Sequence, residues 1–191
     1  MLPNTSRSLH LVHDRQVSYN SVAWRREATS GRYWGSDMEW TRVINNPLLG
    51  NLPFKVELNK FGKVLMSPAS NKHGYVEYRV GKAIERGRRG GEIIVECSIQ
   101  TSDGVKVADV AWASDEFIAR YGYDTPYQRA PELCVEIVLP SNSDDEIKGK
   151  VDLYLARGAT EVWVVDEEMR VRYFGATGEV KKSEMVKRVR I

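Results

Sequence analysis

Cysteine is nearly absent from this chain, with only Cys97 and Cys134 in 191 residues, each inside an apolar strand-like run. Two buried thiols in a reducing compartment fit that placement better than a disulfide or a metal pair. Histidine is equally scarce. His10, His13 and His73 form no zinc-type ligand set, and the two cysteines lie too far apart in sequence to complete one. No apolar run approaches the length of a membrane span. The opening stretch, MLPNTSRSLHLVHDRQ, has no apolar segment between a basic start and a small-residue cleavage site, so the expectation is no signal peptide and a cytoplasmic protein. An excess of one charge is missing too: 28 basic residues face 26 acidic ones, a net +2 that neither demands nor excludes a polyanionic partner. Internal repeats and low-complexity tracts are also lacking.

What is present is ordinary globular material, 42% hydrophobic and 28% charged, in a length suited to one domain with a proper core. Basic residues concentrate locally, in KAIERGRR (82–89) and KKSEMVKRVR (181–190). Residues 1–46 are polar and irregular, with Trp24, Trp34 and Trp40 out of any period. They read as an extension packing on the core or on a second subunit, with a helix near Met38–Asn45. Residues 47–191 read as the main domain. FKVELN (54–59) and KVLMS (63–67) alternate around a turn and predict a hairpin. A helix then opens at Ser70 or Asn71, with Val76, Val80, Ala83 and Ile84 as its apolar stripe, and ends at Gly87. Strands follow over 91–101 and 105–114, then a short helix over Ser114–Tyr121. Ser143 and Glu146 form a capping-box pattern at the start of a helix ending at Gly158. Strands at 161–166 and 170–174 complete the pattern, and the basic tail is expected to add a last one. The strand–helix–strand crossover in the C-terminal half predicts a mixed sheet flanked by helices, an α/β fold bordering on α+β.

Chemistry enters through charge in the wrong place. In LCVEIVL (133–139) a single carboxylate, Glu136, sits inside a run apolar enough to be buried on both faces. VADVAW (107–112) holds a second, Asp109, which strict alternation groups with Val107 and Ala111. Two carboxylates on neighbouring strands repel unless a cation neutralises them, and a hard divalent ion such as Mg²⁺ or Mn²⁺ is a common solution. On that view Asp109→Asn would relieve repulsion in the ion-free protein. Lys150 lies at the edge of the stripe formed by Ile147, Val151, Tyr154 and Leu155, over the C-terminal end of the Glu136 strand. The same three residues also fit a purely structural buried ion pair. His73 and Glu77, one helical turn apart, read either as a surface pair or as two groups facing the same cleft. Glu57 reads either as a cleft residue or as a solvent-facing strand position.

LPFKVELN and GKVLMSPASNKHG, TSDGVKVADVAW, APELCVEIVLPSNS and DLYLARGATEVWVVD together resemble the Uma-two family of restriction endonuclease-like proteins, common in cyanobacteria and other bacteria. That family lies within the PD-(D/E)XK nuclease superfamily, and the resemblance runs from about Leu52 to Asp166. It implies a restriction endonuclease-like central mixed sheet flanked by helices and a Mg²⁺-dependent (or Mn²⁺-dependent) endonuclease site acting on DNA. By that likeness Asp109 and Glu136 are the metal-binding acids, Lys150 on the following helix supplies the catalytic lysine, and His73 and Glu57 fall on motif positions. Glu77 is a further auxiliary candidate. Val138 stands where the simplest superfamily pattern has Lys, and Leu139 replaces the family's usual Ser before Pro140. The function these readings favour is hydrolysis of a phosphodiester by a metal-activated water, with the basic segments gripping the DNA backbone. A non-catalytic nucleic-acid or protein binding module on the same fold, working as a homodimer, is the alternative.

Overall fold

A computed structural model describes residues 36–191 except 50, 51, 53, 69 and 141. Trp24 and Trp34 lie outside the described residues. The helix expected near Met38–Asn45 is α1 (Ser36–Ile44), and its Trp40 is buried against Leu58, Val105 and Val107. The hairpin is β1 (Phe54–Leu58) with β2 (Val64–Pro68), paired antiparallel. Helix α2 (Asn71–Gly87) starts at Ser70, whose hydroxyl accepts from the His73 amide, and it buries the predicted stripe. It lies so close to the sheet that a side chain at Gly81 would meet Ile93 Cγ2 at 3.3 Å.

The long hairpin β3 (Glu92–Thr101) and β4 (Gly104–Ala113) follows, then α3 (Asp115–Tyr121), β5 (Leu133–Val138), α4 (Asp144–Ala156), β6 (Glu161–Asp166), β7 (Val171–Gly175) and β8 (Gly178–Val180). The sheet runs β2-β1-β4-β5-β6-β7-β8, with β3 on the other edge of β4. Only β5 and β6 pair in parallel among the described strands, because α4 carries the chain back across one face between them. Ser143 caps α4 by accepting from the Glu146 amide, but the Glu146 carboxylate takes a bond from Asn142 and leaves the reciprocal half of the box unmade.

Both faces are covered. Val110, Trp112, Val135, Ile137, Trp163 and Val165 pack with α2 on one side. Cys97, Ala108, Ala111, Cys134, Val162 and Val164 pack with α3 and α4 on the other. The two cysteines are free and buried. Two sequence expectations are corrected. Residues 181–191 add no strand beyond β8; instead Val186 is buried in the α2-side cluster. Nor does β4 alternate strictly, since Ala108 and Ala111 share a face. The ladder to β3 skips one step, between Val95↔Val110 and Cys97↔Ala108, where Glu96 takes a φ of 53° opposite Asp109.

One topological detail positions the site. β3 occupies one edge of β4 throughout, so the other edge is divided: β1 meets it only at Val105, and β5 only at residues 110–112. Between them the sheet opens at residues 106–109. Backbone amides there must find side-chain partners. Val107 N–H donates to Glu57, and Ile137 N–H on the facing edge of β5 donates to Asp109. Among the described residues no helix is long and apolar enough to cross a membrane.

Candidate active site

The opening in the sheet is filled with charge. β1 contributes Lys55 and Glu57, β4 Asp109, β5 Glu136, the first turns of α2 His73 and Glu77, and α4 Lys150 and Tyr154. Asp109 is 1% exposed. It accepts from Lys55 Nζ at 2.5 Å and from Ile137 N–H at 2.6 Å, and His73 Nε2 lies 3.2 Å from it. Burial opposes its charge, but Lys55, His73 and the Ile137 amide outweigh that penalty and hold its pKa down at about 2. Glu136 accepts from Lys150 Nζ at 3.1 Å and from the Tyr154 hydroxyl at 2.5 Å, and Lys55 Nζ lies 3.7 Å away. Burial raises its pKa against the pull of both lysines.

Lys150 Nζ also donates to Glu57 at 2.9 Å. Both lysines stay charged: burial works against them, yet the surrounding carboxylates push each pKa above its ordinary value. His73 is held protonated by Asp109 and Glu77, which lift its pKa to about 10 against partial burial. Glu96 stands at the rim of the cleft, and partial burial brings its pKa to about 7 despite Lys55.

The structure thus brings together all six residues singled out from the sequence, and it decides two alternatives. Glu57 is not a solvent-facing strand residue; it is buried and shared between Val107 N–H and Lys150. His73 and Glu77 are not a detached surface pair, since the imidazole reaches Asp109 as well as Glu77. Lys55 bridges the two acids, so a cation of the chain itself meets the repulsion expected between Asp109 and Glu136.

Lys55 is the residue that sequence reasoning missed. Its signal was available: it lies two positions before Glu57 on one strand, so any geometry that turns Glu57 into the cleft turns Lys55 in with it. Tyr154 was read as core and is also a donor to Glu136. Glu96 meets the criterion that found Asp109 and Glu136, a lone carboxylate in an apolar strand. Glu161, the buried first residue of β6, is instead structural, binding the Trp163 indole and the Glu184 amide.

A divalent cation fits one side of this cluster. His73, Glu77 and Asp109 offer ligand atoms that all lie within 4.8 Å of one another. Glu77 Oε1 is buried and lies 3.4 Å from His73 Nε2, its ion-pair partner. Two carboxylate oxygens with one imidazole nitrogen suit a divalent cation.

A protein-family model described as "Uma2: Putative restriction endonuclease" matches residues 50–187. Among solved structures, the chain is similar to one titled as a "putative nuclease belonging to DUF820" from Anabaena variabilis ATCC 29413. The two share 17% identity and a TM-score of 0.50, over 69% of this chain and 83% of that one. At that identity the likeness speaks for the fold alone. No curated protein matches the chain.

Proposed function

This chain belongs to the Uma2 family of PD-(D/E)XK-like nucleases, and from that membership and the chemistry of its cleft we propose that it is a divalent-metal-dependent endonuclease hydrolysing DNA phosphodiester bonds. One observation carries the reading. A fully buried aspartate is kept ionised by two cations and a backbone amide, and His73 and Glu77 bring two further ligand atoms within 4.8 Å of it.

Asp109, Glu77 and His73 would hold the cation, which would supply Lewis acidity toward a phosphoryl oxygen and a water. Glu136 was expected to share the ion with Asp109. In this proposal it instead anchors two ammoniums, Lys55 and Lys150. Lys150, tied to Glu57 and Glu136, presents a fixed positive charge toward the cleft. There it would stabilise negative charge developing on the phosphoryl group. Tyr154 and Glu57 act through it, as positioning residues.

The test is cleavage of plasmid and single-stranded DNA with Mg²⁺, Mn²⁺ or EDTA. Metal-dependent products that vanish with Asp109→Asn support the assignment. DNA binding without cleavage under any divalent ion would leave the non-catalytic module as the correct reading.

A further inference from the structure

The cleft poses a problem for its own substrate. Glu57, Glu77, Asp109 and Glu136 outnumber Lys55, Lys150 and the His73 imidazolium, so a polyanion approaching the site is not drawn there by charge alone. Affinity has to come from another surface, and the solvent side of α2 has the composition for it. Lys72, Tyr75, Arg79, Lys82 and Arg86 recur at helical spacing of three and four residues, along the flank of the buried stripe of Val76, Val80, Ala83 and Ile84. Tyr78 borders this row, and Glu85 is the one acid on that side of the helix. The row begins at the turn whose His73 and Glu77 enter the cleft. At about 1.5 Å per residue it extends ~21 Å along the helix from the turn that carries His73.

The row continues past the helix. The 181–190 segment folds back on the end of α2, where a side chain at Gly87 would overlap Val186 Cγ1 and the Lys187 carbonyl. Arg88 donates to the Met185 carbonyl at 2.9 Å and is occupied against Trp112. Arg86, Arg89, Lys187, Arg188 and Arg190 remain exposed around this junction. The two basic segments, separate in sequence, are therefore one surface.

Its aromatic content decides what it fits. Tyr75 and Tyr78 are 47% and 59% exposed. Each hydroxyl is engaged by the cation one turn later, Tyr75 by Arg79 at 2.8 Å and Tyr78 by Lys82 at 3.0 Å, and those cations also approach the ring faces. The rings are thus held in orientation while each residue stays about half exposed. Phosphates alone would use the cations and leave the rings uncovered, as a duplex does when its bases are stacked inward. A strand with unpaired bases uses both.

We infer that the outer face of α2, continued by the 181–190 segment, binds single-stranded nucleic acid, with Tyr75 and Tyr78 as stacking platforms, and leads that strand to the cleft. Only the last clause rests on the nuclease reading. Fluorescence anisotropy in EDTA tests the rest without any chemistry, using a labelled DNA oligonucleotide as a single strand and as a duplex of the same sequence. The single strand should bind more tightly. Tyr75→Ala/Tyr78→Ala should weaken it at least about tenfold and leave the duplex nearly unchanged, while Tyr75→Phe/Tyr78→Phe should retain most of the affinity. Arg79→Gln and Arg86→Gln should each lower the salt slope of single-strand binding by about 0.7. These side chains are at the surface, so unchanged melting temperatures certify the variants. Equal or tighter duplex binding, or no effect of the alanine pair, overturns the inference, as does equally tight binding to heparin. If single-strand binding behaves as stated but no divalent ion supports cleavage, the nuclease reading fails and this surface stands.

Discussion

Replacing Lys55 with Met removes the ammonium between Asp109 and Glu136 while keeping most of the apolar stem. Asp109 is 1% exposed and its pKa sits at about 2 instead of 3.8, so its ionised form is favoured in the fold by about 2 kcal/mol. Lys55 is the largest favourable contributor to that shift. Without it, burial is opposed only by His73 and the Ile137 amide, and Glu136 keeps only Lys150 and Tyr154. Removing one partner of a buried ion pair typically costs about 3–5 kcal/mol. The residual partners put the expected loss near the lower end, about 3 kcal/mol, or a melting temperature lower by about 6–12 °C for a chain of this size. The sign with pH is distinct. A carboxylate with a depressed folded pKa contributes stability above its unfolded pKa and loses it as pH falls through the folded value. In Lys55→Met that contribution is already reduced at neutral pH. The gap between wild type and variant should therefore narrow as pH drops from about 4 toward 2. Thermal melts of both proteins in EDTA across that range, repeated with Mn²⁺, measure this. Mn²⁺ should raise the variant's melting temperature more than the wild type's, because a cation now meets an under-neutralised cluster. A variant melting within a degree of wild type in EDTA at pH 7 would refute the account of the cleft.

Asp109→Asn should destabilise the metal-free protein by about 2 kcal/mol or more, since it leaves Lys55 and His73 without their main partner; denaturant titration in EDTA checks this, and a gain in stability would restore the repulsion picture. The same variant should lose any Mn²⁺-dependent rise in melting temperature. Lys150→Ala should lower cleavage by about 10²-fold or more while DNA binding in EDTA changes little. Lys150→Met should match it in activity but melt higher, because its stem still packs beside Ile147 and Tyr154. In metal-free protein the His73 pKa of about 10 lies above its ordinary 6.5, so its contribution to stability is complete below pH 6.5 and lost as pH rises through 10. Melting temperatures from pH 6.5 to 10 should therefore fall more steeply for wild type than for His73→Gln.

Local pattern carried much of this protein. Alternation and turn residues located the β1–β2 hairpin, and the helical stripe of Val76, Val80, Ala83 and Ile84 located α2. The carboxylates at 109 and 136 stood out because ionised groups in apolar strands need partners. Those features depend on neighbours within a turn or a strand, where period and burial are coupled directly. The partners themselves are long-range. Lys55 and Asp109 are 54 residues apart, and Lys150 and Glu57 are 93 apart. No spacing rule links them. They meet because β1 and β5 leave the same edge of β4 unpaired at residues 106–109, and side chains from five elements converge on that opening. The break in alternation at Asp109 is equally beyond local pattern, since it depends on the conformation Glu96 adopts across the ladder. The fate of the basic tail turned on competition between surfaces. Val186 gains more by filling the apolar cluster at the end of α2 than its segment would gain as one more exposed edge strand, where a row of like charges would face solvent unpaired.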